Sequence, residues 1–248
     1  MGYCREIPLN IEACEVNLYL TDDACEARRL KDAGEAVLVH FHEGNKGQDF
    51  SGFTYAVLEP DEVGEDYFEK VYRRLKGLPI QICETERCLV REMVPEDGQA
   101  FYDMYRSEAV SRFLQDIHES PEAEAEYIRS YSALQYAFYD YGIWSIVEKE
   151  SGQVIGRAGF SSRSGYETPE LGYLIGEPWQ GKGYAYEVCS ALLEYGQEEL
   201  EFDRVQTLIA PENEASLNLA RKLGFVYREE ISLSGKAMGL FLRESVKY

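Results

Sequence analysis

One short stretch constrains the fold of this chain more than any other: a glycine-bearing turn at 176–185 between an apolar segment and a long amphipathic segment. The segment 171–175 predicts a strand, and the segment 184–200 predicts a helix. Glycines let the backbone turn tightly and approach a ligand closely, and the first N–H groups of a helix have no partner within it. A strand, a turn and a helix N-terminus in this order favour binding of a phosphate.

The spacing of the glycines distinguishes between types of phosphate-binding loop. A nucleotide P-loop requires a hydroxyl residue where this chain has Gly183, and a dinucleotide-binding loop requires a third glycine where it has Tyr186. The pattern Gln/Arg-x-x-Gly-x-Gly/Ala is satisfied by Gln180, Gly183 and Ala185. Taken without its context, the same loop is also typical of an ordinary glycine turn before a helix.

Length and charge limit the classes of function. The 248 residues are enough for one large domain or two modest ones, and the formal net charge is −20. Such a charge disfavours nucleic acids and anionic membranes as partners, and it attracts cations, including protonated amines. An acidic surface that only aids solubility is an equally good interpretation.

Other features of the chain bear on its location. It contains no apolar run of membrane-spanning length, and its first residues fit neither a signal peptide nor a myristoylation pattern. The six cysteines form no Cys-x-x-Cys pair. We therefore expect a cytoplasmic protein with reduced thiols.

Residues 1–85 predict a small α/β domain whose role the sequence leaves open. Its patterns follow in this order: a strand at 16–20, a helix at 24–33, strands at 36–41 and 53–58, and a helix at 61–76. This alternation predicts at least one parallel strand pair. On the second strand, His40 and His42 share one face and have the spacing of a metal-binding pair. Because no third or fourth ligand is evident, a structural or surface role is favoured, and no metal site is predicted.

Residues 86–248 predict a second, larger domain. Its patterns are a strand at 88–93, helices starting at 95 and 120, strands at 143–148, 154–161 and 170–175, a helix at 184–200, a strand at 204–210, a helix after 211, and strands at 225–231 and 238–246. The helix at 120–139 has an aromatic-rich stripe, which more often belongs to a core than to a binding site.

Three motifs in this larger part resemble those of the GNAT N-acetyltransferases. They are the loop with Gln180, Gly183 and Ala185, then Asn213-x-x-Ser216, then Lys222-Leu223-Gly224-Phe225. The last two are similar to the ribosomal-protein (RimJ/RimL-like) branch. The resemblance covers roughly residues 86–248 and implies an α/β (α+β) fold: a mixed, mostly antiparallel sheet flanked by helices.

The resemblance also implies a reaction. Acetyl-CoA would be the acyl donor, with no metal, and the acceptor would be a primary amine on a small molecule or a peptide. In such folds the first two helices flank the acceptor groove, so some tyrosines of the aromatic stripe would face the substrate. The identity of the acceptor is left open, as is the oligomeric state, a homodimer included.

Acetyl-CoA binding, as the resemblance implies it, involves the loop and the strand before it. The pyrophosphate would lie on backbone N–H groups of the loop, with Gln180 shaping it and Lys182 either adding charge or being simply solvated. A β-bulge would separate the strand before the loop from the strand after it, and the N–H groups of Leu174 and Ile175 would pair with the pantetheine and polarise the thioester carbonyl. The expected cofactor-binding residues are Leu174, Ile175, Gln180, Gly181, Lys182, Gly183, Tyr184, Ala185, Asn213 and Ser216.

The same pattern also gives candidate catalytic groups. Glu170 is the candidate base, and a surface carboxylate or a group that binds a cationic acceptor is an equal interpretation. Many family members place a proton-donating tyrosine seven residues after the asparagine, where this chain has Ala220. Ser216 then becomes the candidate that hydrogen-bonds the sulfur, with a helix-cap role as the alternative. Cys189 lies on an apolar helix face, so no covalent acyl-enzyme is expected.

Two classes of function therefore remain open. One is an N-acetyltransferase that moves an acetyl group from acetyl-CoA to an amine by direct transfer in a ternary complex. The other is an acyl-CoA-binding regulatory or scaffold module with little catalytic activity.

Overall fold

A computed structural model describes residues 2–113, 118–163 and 165–245. The chain divides into two compact units, Met1–Ile80 and Gln81–Tyr248. Strand pairing places Gln81–Glu84 in the sheet of the second unit, so this division falls a few residues before the boundary expected near residue 85.

The first unit contains a four-stranded mixed sheet and two helices. Its elements are β1 Cys4–Ile11, β2 Cys14–Thr21, α1 Ala24–Asp32, β3 Ala36–His40, β4 Ala56–Val57 and α2 Glu65–Leu75. The strand order is β1-β2-β3-β4, with β1 antiparallel to β2 and the other two pairs parallel. The sequence analysis did not predict β1, although its buried residues Ile7, Leu9 and Ile11 alternate with exposed ones, among them Pro8. An edge strand tolerates a proline, since one side of the strand needs no ladder bonds.

The histidine pair of this unit has a structural role. Nδ1 of His42 accepts a hydrogen bond from the Gly44 N–H at 3.1 Å, and its Nε2 lies 3.3 Å from the Asp22 carboxylate. Both ring nitrogens of His42 thus have partners in the protein, and the His40 ring lies beside it at a tilt of 55°, with 5.0 Å between ring centroids. Within the described residues, no group of three or more His, Cys, Asp or Glu side chains is placed to hold a metal ion.

The second unit is built on an eight-stranded sheet. Its elements are β5 Gln81–Glu84, β6 Cys88–Arg91, α3 Gly98–Tyr105, α4 Glu108–Ser111, α5 Pro121–Tyr131, α6 Ala137–Tyr139, β7 Ile143–Glu148, β8 Val154–Ser161, β9 Glu170–Ile175, α7 Tyr184–Glu198, β10 Arg204–Ile209, α8 Glu214–Lys222, β11 Val226–Leu233 and β12 Lys236–Glu244. The strand order is β11-β12-β10-β9-β8-β7-β6-β5, and β9 with β10 is parallel while the other pairs are antiparallel. The predicted mixed, mostly antiparallel sheet flanked by helices is confirmed.

Helices cover this sheet on both faces. The apolar stripe of α7 packs against one face, where Val188 and Leu192 are fully buried in the cluster that contains Trp144. Helices α3 and α5 cover the other face, around the fully buried Phe101 and Ile128. Full burial of such a side chain stabilises the fold by about 1.5–3 kcal/mol. No helix in the described ranges combines the length and the hydropathy that a bilayer crossing requires.

The aromatic stripe predicted after residue 120 is only partly buried. Ile128 lies in the core, but Leu134 and Phe138 are 72% and 78% exposed. The cause is a π-helical segment, Ser132–Tyr136, which follows α5 and shifts the positions that face the sheet. Tyr136 becomes the buried residue instead, and its hydroxyl donates to the Ile143 carbonyl.

Candidate active site

The second unit contains a cleft at the point where β9 and β10 separate. Within the described chain these strands pair at one position, Gln206 with Glu170, and the Gln206 N–H donates to the Pro169 carbonyl at 2.9 Å. Beyond it, β9 stays paired with β8 as far as Ile175, and β10 stays paired with β12 as far as Ile209. The two strands therefore diverge near residues 174 and 208, as the sequence led us to expect. The resulting cavity has a volume of about 930 Å³ and is lined by both strands, the glycine loop and α8.

The open edge of β9 is defined by its register with β8. The Gly176 N–H donates to the Ile155 carbonyl at 2.8 Å, and the Leu174 carbonyl lies against Gly156. Backbone groups of alternate residues point to opposite sides of a strand, so the Leu174 N–H also faces β8. The N–H groups on the cleft side belong to Tyr173 and Ile175. The expectation that the Ile175 N–H faces the cleft is consistent with this register. The same expectation for the Leu174 N–H is wrong, because neighbouring residues of a strand point their N–H groups to opposite sides.

The expected β-bulge does not lie between β8 and β9. Their register is continuous from Ser161/Glu170 to Gly156/Ile175. A register shift occurs one strand further on, between β7 and β8 at Ile146/Val147. The divergence of β9 from β10 is therefore not accompanied by a bulge in the β8–β9 ladder.

The glycine loop connects the open edge to α7 through a 3₁₀ turn at Glu177–Trp179. Gln180 shapes the loop, since its Nε2 donates to the Ile175 carbonyl at 2.9 Å. Gly181 and Gly183 have φ angles of +72° and +88°, which side-chain-bearing residues rarely adopt. Such values explain why the sequence has glycine at both positions.

The N-terminus of α7 is arranged to receive an anion. Gly183 is the N-cap and has no side chain to accept from the first turn of the helix. The first helical bond is donated by the Glu187 N–H to the Gly183 carbonyl, so the N–H groups of Tyr184 and Ala185 precede it. Both residues line the cavity. Their N–H groups, together with the positive end of the helix dipole, favour a bound phosphate.

Arg87, in the turn between β5 and β6, contacts this loop and the helix after it. The sequence pattern did not reveal this contribution. The Arg87 Nε donates to the Glu187 carboxylate at 2.7 Å, and its guanidinium donates to the Lys182 carbonyl at 3.1 Å. The hydrogen bond to Glu187 raises the pKa of Arg87 above its usual value. The guanidinium also lies over the ring of Tyr184. Arg87 is 100 residues from Glu187 in the sequence, so no local motif could have paired them.

The cations that line the cavity differ from the one that the sequence suggested. The Lys182 side chain is exposed, and Lys182 is not among the described residues that line the cavity. The described lining does include two cations, Arg112 and Lys222. These cations are better placed than Lys182 to face an anionic ligand within the cavity.

Asn213 and Ser216 lie together at the start of α8, on the cavity wall. Oδ1 of Asn213 accepts from the Ser216 N–H at 3.1 Å, which makes Asn213 the N-cap of the helix. The Ser216 hydroxyl accepts a hydrogen bond from the hydroxyl of Tyr173 on β9, at 2.8 Å. Ala220, the position for which the sequence pattern led us to consider a tyrosine, is buried in the core.

Tyr173 is a second residue that the sequence pattern missed. It stands 43 residues before Ser216 and on a strand, and its hydroxyl contacts α8 in the folded chain. Burial raises the pKa of Tyr173 to about 12, so the phenol stays protonated at neutral pH.

Glu170 lies at the closed end of the cleft and lines the cavity. Arg163 binds it in a bidentate manner, with Nε to Oε2 at 2.5 Å and the second contact at 3.1 Å. This pairing raises the pKa of Arg163. The Glu170 side chain is 13% exposed. Its remaining lone pairs are available to an acceptor group or to a water molecule.

Cys189 lies beneath the loop, on the buried face of α7. Its side chain is completely buried, and burial raises the pKa of its thiol to about 12. A protonated and inaccessible thiol is a poor nucleophile, in agreement with the expectation that no acyl-enzyme forms at this residue.

The second unit was compared with known proteins, and the family match lies within it. A family model described as an acetyltransferase (GNAT) domain matches residues 87–226. The uncharacterized N-acetyltransferase YoaA of Bacillus subtilis is 32% identical over 149 residues, which are 58% of this chain and 82% of that protein. The [ribosomal protein uS5]-alanine N-acetyltransferase of Escherichia coli is 31% identical over 153 residues, which are 57% of this chain and 76% of that protein.

Solved structures agree on the fold. The structure of a putative ribosomal-protein-serine acetyltransferase from Vibrio cholerae superposes with a TM-score of 0.59 at 22% identity. The match covers 67% of this chain and 98% of the other.

Proposed function

The chain belongs to the GNAT family of acyl-CoA-dependent N-acetyltransferases, and we propose that it moves the acetyl group of acetyl-CoA directly to a primary amine within a ternary complex. The observation that carries the proposal is the separation of β9 from β10 beyond Gln206 and Glu170. That separation leaves a strand edge beside a glycine loop, and a pantetheine diphosphate has the length and the polarity to occupy both.

The donor would be held mainly by backbone groups. Its pantetheine amides would pair with the cleft-side backbone of Tyr173 and Ile175, in the way that a peptide adds a strand to an open sheet edge. Its pyrophosphate would lie on the first N–H groups of α7, with Lys222 or Arg112 contributing charge. A cleft-side N–H of β9 would polarise the thioester carbonyl and stabilise the oxyanion that develops there.

The acceptor must arrive as, or become, a neutral amine, because an alkylammonium ion has no lone pair for attack. Glu170 is our candidate for the group that receives its proton, directly or through water. Arg163 would hold the carboxylate in place for this step. Much of the rate would come from holding thioester and amine together, which general acid–base catalysis then supplements.

For the acceptor class, we propose the N-terminal amine of a protein or peptide as the first candidate. Similarity to an enzyme named for a ribosomal-protein alanine substrate supports this choice. The net charge of −20 favours cationic acceptors in general, and polyamines and aminoglycosides remain the alternatives to test.

The test is thiol release from acetyl-CoA across a panel of amines: peptides with N-terminal alanine or serine, a polyamine and an aminoglycoside. We expect release above the hydrolysis background with at least one class. Calorimetric binding of CoA with no release for any amine would contradict the proposal and favour an acyl-CoA-binding regulatory module.

A further inference from the structure

Two hydroxyl groups meet between β9 and α8. The Tyr173 hydroxyl on β9 donates to the Ser216 hydroxyl on α8 across 2.8 Å, and both residues line the cavity. Beyond Gln206 and Glu170 no further β9–β10 pairing is found in the described chain, and the hydroxyl pair connects β9 to α8, the helix that follows β10.

The backbone of Ser216 is held by Asn213. Its N–H is capped by Asn213 at 3.1 Å, at the first turn of α8. A serine hydroxyl has one proton to donate and two lone pairs to accept with. Since one lone pair accepts from Tyr173, the serine proton must point away from that residue. It is therefore free to be donated to a ligand in the cavity.

The proposed reaction needs a proton donor near the sulfur of the departing CoA. When the C–S bond of the thioester breaks, its electron pair stays on sulfur, and the thiolate must be protonated to leave as CoA. Ala220, one turn further along α8, is buried and has no proton to give.

We propose that Tyr173 supplies, through Ser216, the proton that the departing thiolate takes; this inference rests on the proposed function. The Ser216 hydroxyl donates its proton to sulfur as the C–S bond breaks, and it takes the Tyr173 proton in the same step. The Tyr173 phenolate formed in this step is returned to the phenol by the proton that the acceptor nitrogen loses, delivered through solvent. One N–C bond forms, one C–S bond breaks, and the proton count is unchanged.

Tyr173 is thus a positioning and proton-supplying residue that acts through Ser216. The competing explanation is that its hydroxyl only ties β9 to α8. A Tyr173→Phe variant separates the two, because it removes one oxygen and keeps the ring that packs against the core beneath α7. Tyr227→Phe is the matched control, since Tyr227 is 54% exposed on β11 and loses the same atom.

The experiment measures the single-turnover rate of acetyl transfer, the affinity for CoA by calorimetry and the melting temperature. For Tyr173→Phe we expect the transfer rate to fall roughly 10- to 100-fold, with CoA affinity within about twofold of the parent's. A purely structural role would instead weaken CoA binding and lower the melting temperature, with transfer at saturating donor unchanged.

A double-mutant cycle and a proton inventory give a second readout. If the hydroxyls act as a unit, Tyr173→Phe combined with Ser216→Ala should be no slower than Ser216→Ala alone. In mixtures of H₂O and D₂O, the parent rate should curve with deuterium content, because two protons move together, and the Tyr173→Phe rate should vary linearly.

The outcomes separate the inference from the function beneath it. Equal transfer rates for the parent and Tyr173→Phe, or independent losses in the cycle, would overturn the inference alone. Absence of thiol release by the parent with every amine would overturn the proposed function and this inference with it.

Discussion

The Arg87 guanidinium lies 4.1 Å from the centroid of the Tyr184 ring, over the first residue of α7. The same guanidinium is bonded to the Glu187 carboxylate and the Lys182 carbonyl. A side chain outside the glycine motif therefore fixes both the loop and the helix that follows it. We therefore expect Arg87 to help hold the N–H groups of the loop in place.

Arg87→Gln should weaken CoA binding although we place Arg87 outside direct contact with CoA. The substitution removes the ion pair and the cation–π contact, each of which contributes about 0.5–1 kcal/mol at a side chain that is 38% exposed. We expect the Kd of CoA to rise about tenfold, measured by calorimetry. Arg129→Gln is the control, because it breaks an exposed ion pair of α5. Unchanged affinity in Arg87→Gln would show that the loop is rigid without this brace.

Gly183→Asp should have a larger effect on CoA binding. It places a residue with a side chain at φ +88° and a carboxylate next to the N–H groups that would hold the pyrophosphate. We expect the affinity for CoA to fall roughly 100-fold by calorimetry.

Gly235→Asp is the matched control for that substitution. Gly235 also has a positive φ, +78°, and it lies in the turn between β11 and β12 with open space around it. It should lose stability, through the same backbone strain, and keep its CoA affinity. Similar losses of affinity in both variants would refute a local role for the glycine loop.

Glu170→Gln should slow turnover mainly at lower pH. There the free amine is scarce and a proton acceptor in the site has most to contribute. The measurement is kcat/KM against pH, with Arg163→Gln alongside. If Arg163 only orients the carboxylate, its loss should cost less turnover than the loss of Glu170. A Glu170→Gln profile that follows the parent's at every pH would exclude Glu170 as the base.

The second unit should lose stability at alkaline pH through Cys189. Its thiol has a pKa raised by burial to about 12, against 9.0 for an unperturbed cysteine. Above pH 9 the unfolded chain releases this proton while the folded chain still binds it, so unfolding becomes more favourable as pH rises. The stabilisation is complete below pH 9 and is lost on the way to pH 12, by about 2 kcal/mol at about pH 10.5.

Thermal melts between about pH 8 and 10.5 test this linkage. Cys189→Ala should reduce the decline in melting temperature over that range, whereas Cys14→Ala, at an exposed cysteine of the first unit, should not. An identical decline in the parent and Cys189→Ala would mean that other groups, such as Tyr131 with its pKa raised to about 12 by burial, dominate the alkaline transition.

Local chemistry made much of the second unit predictable. A few consecutive residues encode the left-handed backbone conformation at Gly181 and Gly183. The same is true of the apolar stripe of α7. The N-cap role of Asn213 is of the same kind. Such features follow from backbone preference and helical spacing, which sequence reports directly.

Features that depend on three-dimensional placement were not predictable in the same way. The contact of Tyr173 with Ser216 requires knowing how far β9 turns from β10, and the brace from Arg87 spans 100 residues. The error at Leu174 has a smaller origin. The approximate position of the open edge could be predicted from the sequence. The side to which each N–H points could not, because it depends on the register with β8, and a shift of one residue reverses it.

The incomplete ladder between β9 and β10 leaves part of the sheet edge open to an added strand. If a pantetheine occupies the edge at Tyr173 and Ile175, the donor serves as the missing strand as well as the source of the acetyl group. Folding and catalysis then draw on the same ligand: at a donor concentration of about 100 Kd, the larger unit would gain about 2.7 kcal/mol of stability by mass action. A cell short of acetyl-CoA would hold an enzyme that is both slower and less resistant to unfolding.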